Sequence, residues 1–178
     1  MKSAETSLIM GVLTKTMVKK RMSKQSIEDY LSAHAFFSRM DSSFLKFLSN
    51  SVTELQIKKG DVLFQHGNRA DKFYLLRNGQ ISIQVPALMG PTLEIQTLGE
   101  DQILGWSWLI PPYRWSFQAR ALEDSDLLEF DGSAILARCE EDPNFGYELF
   151  KRFAALMSER LDAARQKMMD EWNPPGFA

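Results

Sequence analysis

The sequence predicts a mainly β fold, an antiparallel jelly-roll β-barrel with N-terminal helices and a long C-terminal helix. Three observations carry this expectation. Short runs rich in branched and aromatic residues follow one another between Val52 and Phe130. Glycine-bearing turns separate them, and the apolar period switches to a helical one on either side. At 178 residues the chain is long enough for one substantial core and short for two.

Composition narrows the function classes. A formal charge of −2 gives no general attraction to nucleic acid or acidic membranes. A single cysteine, Cys139, excludes an intrachain disulfide and fits a reducing, cytoplasmic setting. No apolar run approaches the roughly 20 residues that span a bilayer. Residues 1–25 stand apart: six Lys/Arg against Glu5 alone give a local charge of +6 − 1 = +5. Their basic cluster follows the apolar piece Leu8–Leu13, the reverse of a signal peptide, so a basic tail is expected.

The globular part is expected over residues 26–170. Ser26-Ile27-Glu28-Asp29 has capping-box spacing and opens a helix with Ile27, Tyr30, Leu31 and His34 on one face. His34 reads as a packed histidine, since no second His or Cys lies nearby. Asp41 caps a second helix, Ser42 to Asn50, that buries Phe44, Leu45 and Leu48.

Strands are expected at Val52–Ile57, Asp61–Phe64, Lys72–Arg77, Gln80–Val85, Leu93–Leu98, Ser116–Ala121 and Asp126–Phe130. Turn signals between them include Lys59-Gly60-Asp61, His66-Gly67-Asn68 and Met89-Gly90-Pro91. Asn78-Gly79 is the strongest, because it suits a type I′ hairpin with positive φ at both residues.

Beyond Asp131 the period is helical again. Asp131 caps a short helix with Ile135, Leu136 and Cys139, the cysteine acting as a small core hydrophobe. Asp142-Pro143 starts a long helix that runs to about Met169, with Phe150, Phe153, Met157, Leu161, Ala164 and Met168 on one face. Its roughly 39 Å exceeds what a small barrel needs for cover, so its C-terminal half is expected to be a homodimer seam. Asn173-Pro174-Pro175 ends it, and residues 171–178 form a tail.

No catalytic constellation emerges. A metal-dependent jelly-roll enzyme would need closely spaced histidines, and the chain has only His34 and His66. The pairs Glu100-Asp101 and Glu140-Glu141 read as solvated charge. An enzyme is not expected.

The stretch Gly99 to Ala121 is the expected ligand site. Three of the four tryptophans, Trp106, Trp108 and Trp115, lie there with Ser107, Arg114 and Ser116. The order of elements, together with Lys59-Gly60-Asp61-Val62-Leu63-Phe64-Gln65-His66-Gly67 and Ala70 to Gly79, resembles the cyclic nucleotide-binding domain over Ser26 to Asp170. In that family a cassette of the form Gly-Glu-Leu-Ala/Gly-Leu, then Arg-Ala/Ser-Ala, holds ribose through the glutamate. The arginine and the first amides of a short helix hold the cyclic phosphate. Here the counterpart is Gly105-Trp106-Ser107-Trp108-Leu109, then Arg114-Trp115-Ser116. Gly105 and Leu109 match, Trp106 stands in the glutamate position, and Arg114 fits the arginine position only with a one-residue shift.

The resemblance therefore implies a regulatory or sensor module that takes a small anion, cyclic AMP or cyclic GMP being the family's ligands. Gly105, Trp106 and Ser107 would offer amides and a hydroxyl, Arg114 the charge, and the indoles a stacking surface. The alternative is a cassette closed by its own tryptophans, in a protein–protein interaction or dimerisation module. Direct DNA binding is not expected, because little sequence follows the long helix and the charge is acidic.

Overall fold

Residues 24–86 and 92–172 are described by the computed structural model, and their strands fall into two four-stranded antiparallel sheets. Helices α1 (Lys24–Ala33) and α2 (Ser42–Asn50) precede β1 (Val52–Ile57), β2 (Val62–Phe64), β3 (Lys72–Asn78), β4 (Ile81–Val85) and β5 (Leu93–Leu98). Then come β6 (Ile103–Leu104), β7 (Gln118–Ala121), β8 (Ser125–Asp131), α3 (Gly132–Glu141) and α4 (Pro143–Trp172). The basic stretch 1–23, the turn at Met89-Gly90-Pro91 and the end signal Asn173-Pro174-Pro175 lie outside the described residues.

The first sheet has the order β1-β8-β3-β6 and the second β2-β7-β4-β5. Facing pairs such as Val52 with Phe130 and Ile81 with Ala121 fix their registers. This is a jelly roll, but not the closed barrel expected from the sequence, since no strand of one sheet pairs with a strand of the other. The edge strands β2 and β6, of three and two residues, are too short to carry a second ladder.

Asn78-Gly79 is not a hairpin turn. β3 pairs with β6 and β8 while β4 pairs with β5 and β7, so the chain changes sheets at this point. Gly79 alone takes a positive φ, of 100°, and Asn78 remains in β3. A Cβ on Gly79 would lie 2.2 Å from Ser125 Oγ. The glycine serves a close approach to β8 where the chain leaves the first sheet rather than a two-residue loop.

The helices cover the first sheet. Just past the end of α1, His34 accepts the Phe36 amide at Nδ1 (3.2 Å), which assigns the proton to Nε2 and lets it donate to the Asp101 carbonyl at 2.8 Å. Tyr30 Oη donates to the Asp101 carboxylate at 2.5 Å. Burial, with this bond second, holds the Tyr30 hydroxyl above the usual tyrosine range. His34 is thus the packed residue its neighbours predicted, tying α1 to the turn before β6. Ser26 falls inside α1, so the Ser26–Asp29 spacing does not mark the helix start. Asp41 caps α2 as expected, accepting the Ser43 amide at 2.8 Å.

An aromatic stack joins the layers. Phe73 of β3 and Phe130 of β8 lie 4.4 Å apart and 2° from parallel. Phe153 of α4 meets Phe73 edge-on at 5.3 Å. Phe145, Leu149 and Phe153 are wholly buried, so the buried face of α4 runs through these residues and not through Phe150, which is 41% exposed. From Leu161 to Asp170 every residue of α4 is exposed except the half-buried Met169. At 30 residues the helix spans about 45 Å; its first half carries the buried residues, while Arg160 and Lys167 of its second half reach the Ile103 and Ile95 carbonyls.

Gly79→Ala is expected to destabilise the chain by about 2–3 kcal/mol, combining a strained φ with the clash at Ser125. Denaturant unfolding measures this. A loss within the roughly ±0.5 kcal/mol of a neutral surface change would show that Gly79 and Ser125 are not this closely apposed.

Candidate functional site

A cavity of about 270 Å³ lies between the second sheet, the segment from Gly105 to Phe117, and α4. The sheet contributes Phe64 of β2, Ile83 of β4, and Ile95 and Gln96 of β5. Gly105, Trp106, Ser107, Trp115 and Phe117 form the floor, and Met157, Arg160, Leu161 and Ala164 of α4 close the side.

Gly105 shapes this floor. Its φ is +84°, and a Cβ there would lie 2.7 Å from the Trp115 ring. Trp115 can therefore slide over the backbone and stack on Phe64, with centroids 3.9 Å apart and planes 12° from parallel. Trp115 is buried and presents only part of its ring to the cavity.

No helix follows Gly105. Leu109 donates its amide to the Trp106 carbonyl and Tyr113 donates to the Ile110 carbonyl, both at 3.0 Å, making two separate turns. Pro111 and Pro112 carry no N–H, and Pro111 disfavours helical backbone at Ile110. The helix N-terminus that the resemblance implied as an anion cradle is absent from this segment.

The structure brings together four of the seven residues singled out in the sequence: Gly105, Trp106, Ser107 and Trp115. Trp108 points the other way into the core, 1% exposed, stacked on Phe73 at 5.3 Å and edge-on to Phe153 at 5.6 Å. Ser116 is exposed and outside the cavity wall. Arg114 donates to the Gly67 carbonyl at 2.8 Å and lines a separate, larger cleft of about 530 Å³ with Arg69, Trp108, Tyr113 and Glu140. The positive charge expected from Arg114 is therefore not at this cavity.

Arg160 is. Its guanidinium carbon lies 5.2 Å from the Trp106 ring centroid, and it donates to the Ile103 carbonyl. Among the described residues no carboxylate lies within salt-bridge distance of it. Burial pushes its pKa down to about 10, which leaves it charged at neutral pH. Sequence reading passed over Arg160, although a signal existed. It lies three residues after Met157 and four before Ala164, a cation inside the apolar stripe of α4.

Among the described residues no group of three His, Cys, Asp or Glu is placed to hold a metal ion. Cys139 is buried in α3, and burial first, then the charges of Asp142 and Glu140, push its thiol up to about 11. A raised pKa keeps the neutral thiol dominant at pH 8. We expect 5,5′-dithiobis(2-nitrobenzoate) to label Cys139 slowly in the folded chain and rapidly in denaturant, where the thiol titrates near about 8.5. Equal rates in both would show that the α3–α4 contact opens freely.

Comparison with known proteins agrees with this architecture. The family model for the cyclic nucleotide-binding domain matches residues 54–142. A solved cyclic nucleotide-binding domain from Methylobacillus flagellatus has a TM-score of 0.73 at 14% identity, covering 87% of this chain and 89% of that one. The sensor domain of the transcriptional regulator DNR from Pseudomonas aeruginosa has a TM-score of 0.65 at 20% identity, covering 78% and 93%. In sequence, lysophospholipase NTE1 of Chaetomium globosum is 20% identical over 159 residues, 89% of this chain. The chain spans only 10% of the length of that curated relative. With the two-sheet roll, the flanking helices and a family match that starts in β1 and ends at the boundary of α4, the chain belongs to the cyclic nucleotide-binding domain family.

Proposed function

We propose that this chain is a non-catalytic, cytoplasmic sensor domain that takes a small anionic ligand between its roll and α4 and reports occupancy through that helix. The observation that carries the reading is the shared wall of the cavity. Residues of the second sheet and residues of α4 line one space, so anything that fills it touches both. A ligand with different contacts in two positions of α4 shifts the balance between them by that difference. Gly105, Trp106, Ser107 and Trp115 supply the floor in this reading, and Arg160 supplies the charge in place of Arg114.

The competing reading is a ligand-free interaction module. Trp108 and Trp115 favour it in part, because two of the three indoles are core. The open cavity beside Trp106 and the half-buried guanidinium on its wall favour a ligand.

The exposed half of α4 is the proposed signalling end and homodimer seam. Leu161 and Met168 are 71% and 53% exposed on it, seven residues apart on one face.

A panel of cyclic nucleotides and small organic anions, screened by thermal shift, tests the ligand reading. Hits are then followed by hydrogen exchange. A hit is expected to raise the melting temperature and change exchange at amides from Met157 to Ala164. Stabilisation without any change in α4 would remove helix signalling. A panel without a hit would favour the interaction module. For the seam, sedimentation is expected to give a dimer that Met168→Glu weakens about tenfold or more. A wild-type monomer at high concentration would remove the seam.

A further inference from the structure

We infer that the ligand of this cavity is a planar, apolar monocarboxylate of one or two rings, held by Arg160. This rests on the reading above that a ligand sits between the roll and α4, and names its chemical class.

Three features of the cavity lead there. Its walls are overwhelmingly apolar, with four aromatic side chains, Phe64, Trp106, Trp115 and Phe117, around one space. Rings offer flat surfaces and favour flat partners. Its volume of about 270 Å³ suits one or two fused rings with a short acid group. Sugar hydroxyls find little here: Gln96 and Ser107 are the neutral polar side chains on the wall, and among the described residues it carries no acid.

The charge is the third feature. Arg160 lies largely withdrawn from water against Trp106, and the wall holds no acidic residue among those described. Glu159, its neighbour in sequence, is exposed and lines a different cleft together with Arg160. A guanidinium carries five N–H donors in a planar fork, and the described residues give this one a single acceptor, the Ile103 carbonyl. A carboxylate entering the cavity meets the donors left over and adds a directly bonded counter-charge to the more distant one of Glu159. A cyclic phosphodiester brings the same charge, but with a ribose that has no acid to hold it.

Calorimetric titration of the whole chain with naphthalene-2-carboxylate, naphthalene-2-carboxamide, cyclic AMP and cyclic GMP tests the assignment. The carboxylate is expected to bind saturably, and the uncharged amide about tenfold more weakly or worse. Arg160→Gln is expected to erase that difference, and Arg160→Lys to restore part of it. The acid–amide comparison on the unaltered chain needs no variant to fold. Equal binding of acid and amide would overturn the carboxylate assignment and leave the sensor reading standing. Binding of a cyclic nucleotide without binding of the acid would do the same. No binding of any of the four at millimolar concentration would overturn the assignment and the sensor reading together.

Discussion

The contact on which the rest of this structure depends is the aromatic stack through Phe73. Its ring lies flat on Phe130, receives Trp108 on one side and meets Phe153 edge-on. Four parts of the chain far apart in sequence converge there: β3, β8, the loop after β6 and the first half of α4. Each such ring pair contributes about 0.5–1.5 kcal/mol beyond the area it buries. The arrangement carries a cost, since Trp108 Nε1 is buried with no acceptor among the described residues. A buried donor left unpaired costs about 1–3 kcal/mol, less than the ring contacts and burial of that side chain return. The stack explains why α4 divides into two halves. Up to Phe153 it is part of the core, and beyond that only one side still meets the roll, through the cavity wall at Leu161 and Ala164 and the bonds from Arg160 and Lys167 to the Ile103 and Ile95 carbonyls.

The site differs from its family's pattern in a coherent way. Where the family's motif has glutamate this chain has an indole, and where a short helix begins it has two turns shaped by consecutive prolines. Charge has moved from the loop to the helix. A cation on Arg114 would have been fixed to the roll, whereas Arg160 travels with α4. Its cation–π contact with Trp106 spans the gap between these two bodies.

Much of the fold was legible in the sequence because periodicity and capping are local. β1 and β5 lie where the branched runs placed them, and Asp41 and Asp131 cap the helices expected of them. The misreadings arise where the deciding contact is distant. Asn78-Gly79 has the composition of a hairpin, but Ser125, some forty-six residues on, determines why glycine is needed. β6, with two residues, is too short to show alternation. Trp106 and Trp108 are neighbours with the same chemistry, and only the turn between them sends one to the cavity and the other to the core. Arg160 escaped notice because a charge on a long helix usually faces water.

Under the proposed reading, the cavity with one wall on the roll and one on α4 would also act as a gauge of size. The aromatic stack pins the helix upstream, and a tilt of its outgoing half would turn about a fulcrum near Phe153. A guest slightly smaller than the space would draw Arg160 inward and pull the helix toward the sheet. A guest slightly larger, bound through the same contacts, would act as a wedge and push it away. Two ligands of one chemical type, differing by a ring substituent, would then send opposite signals, one an agonist and the other an antagonist.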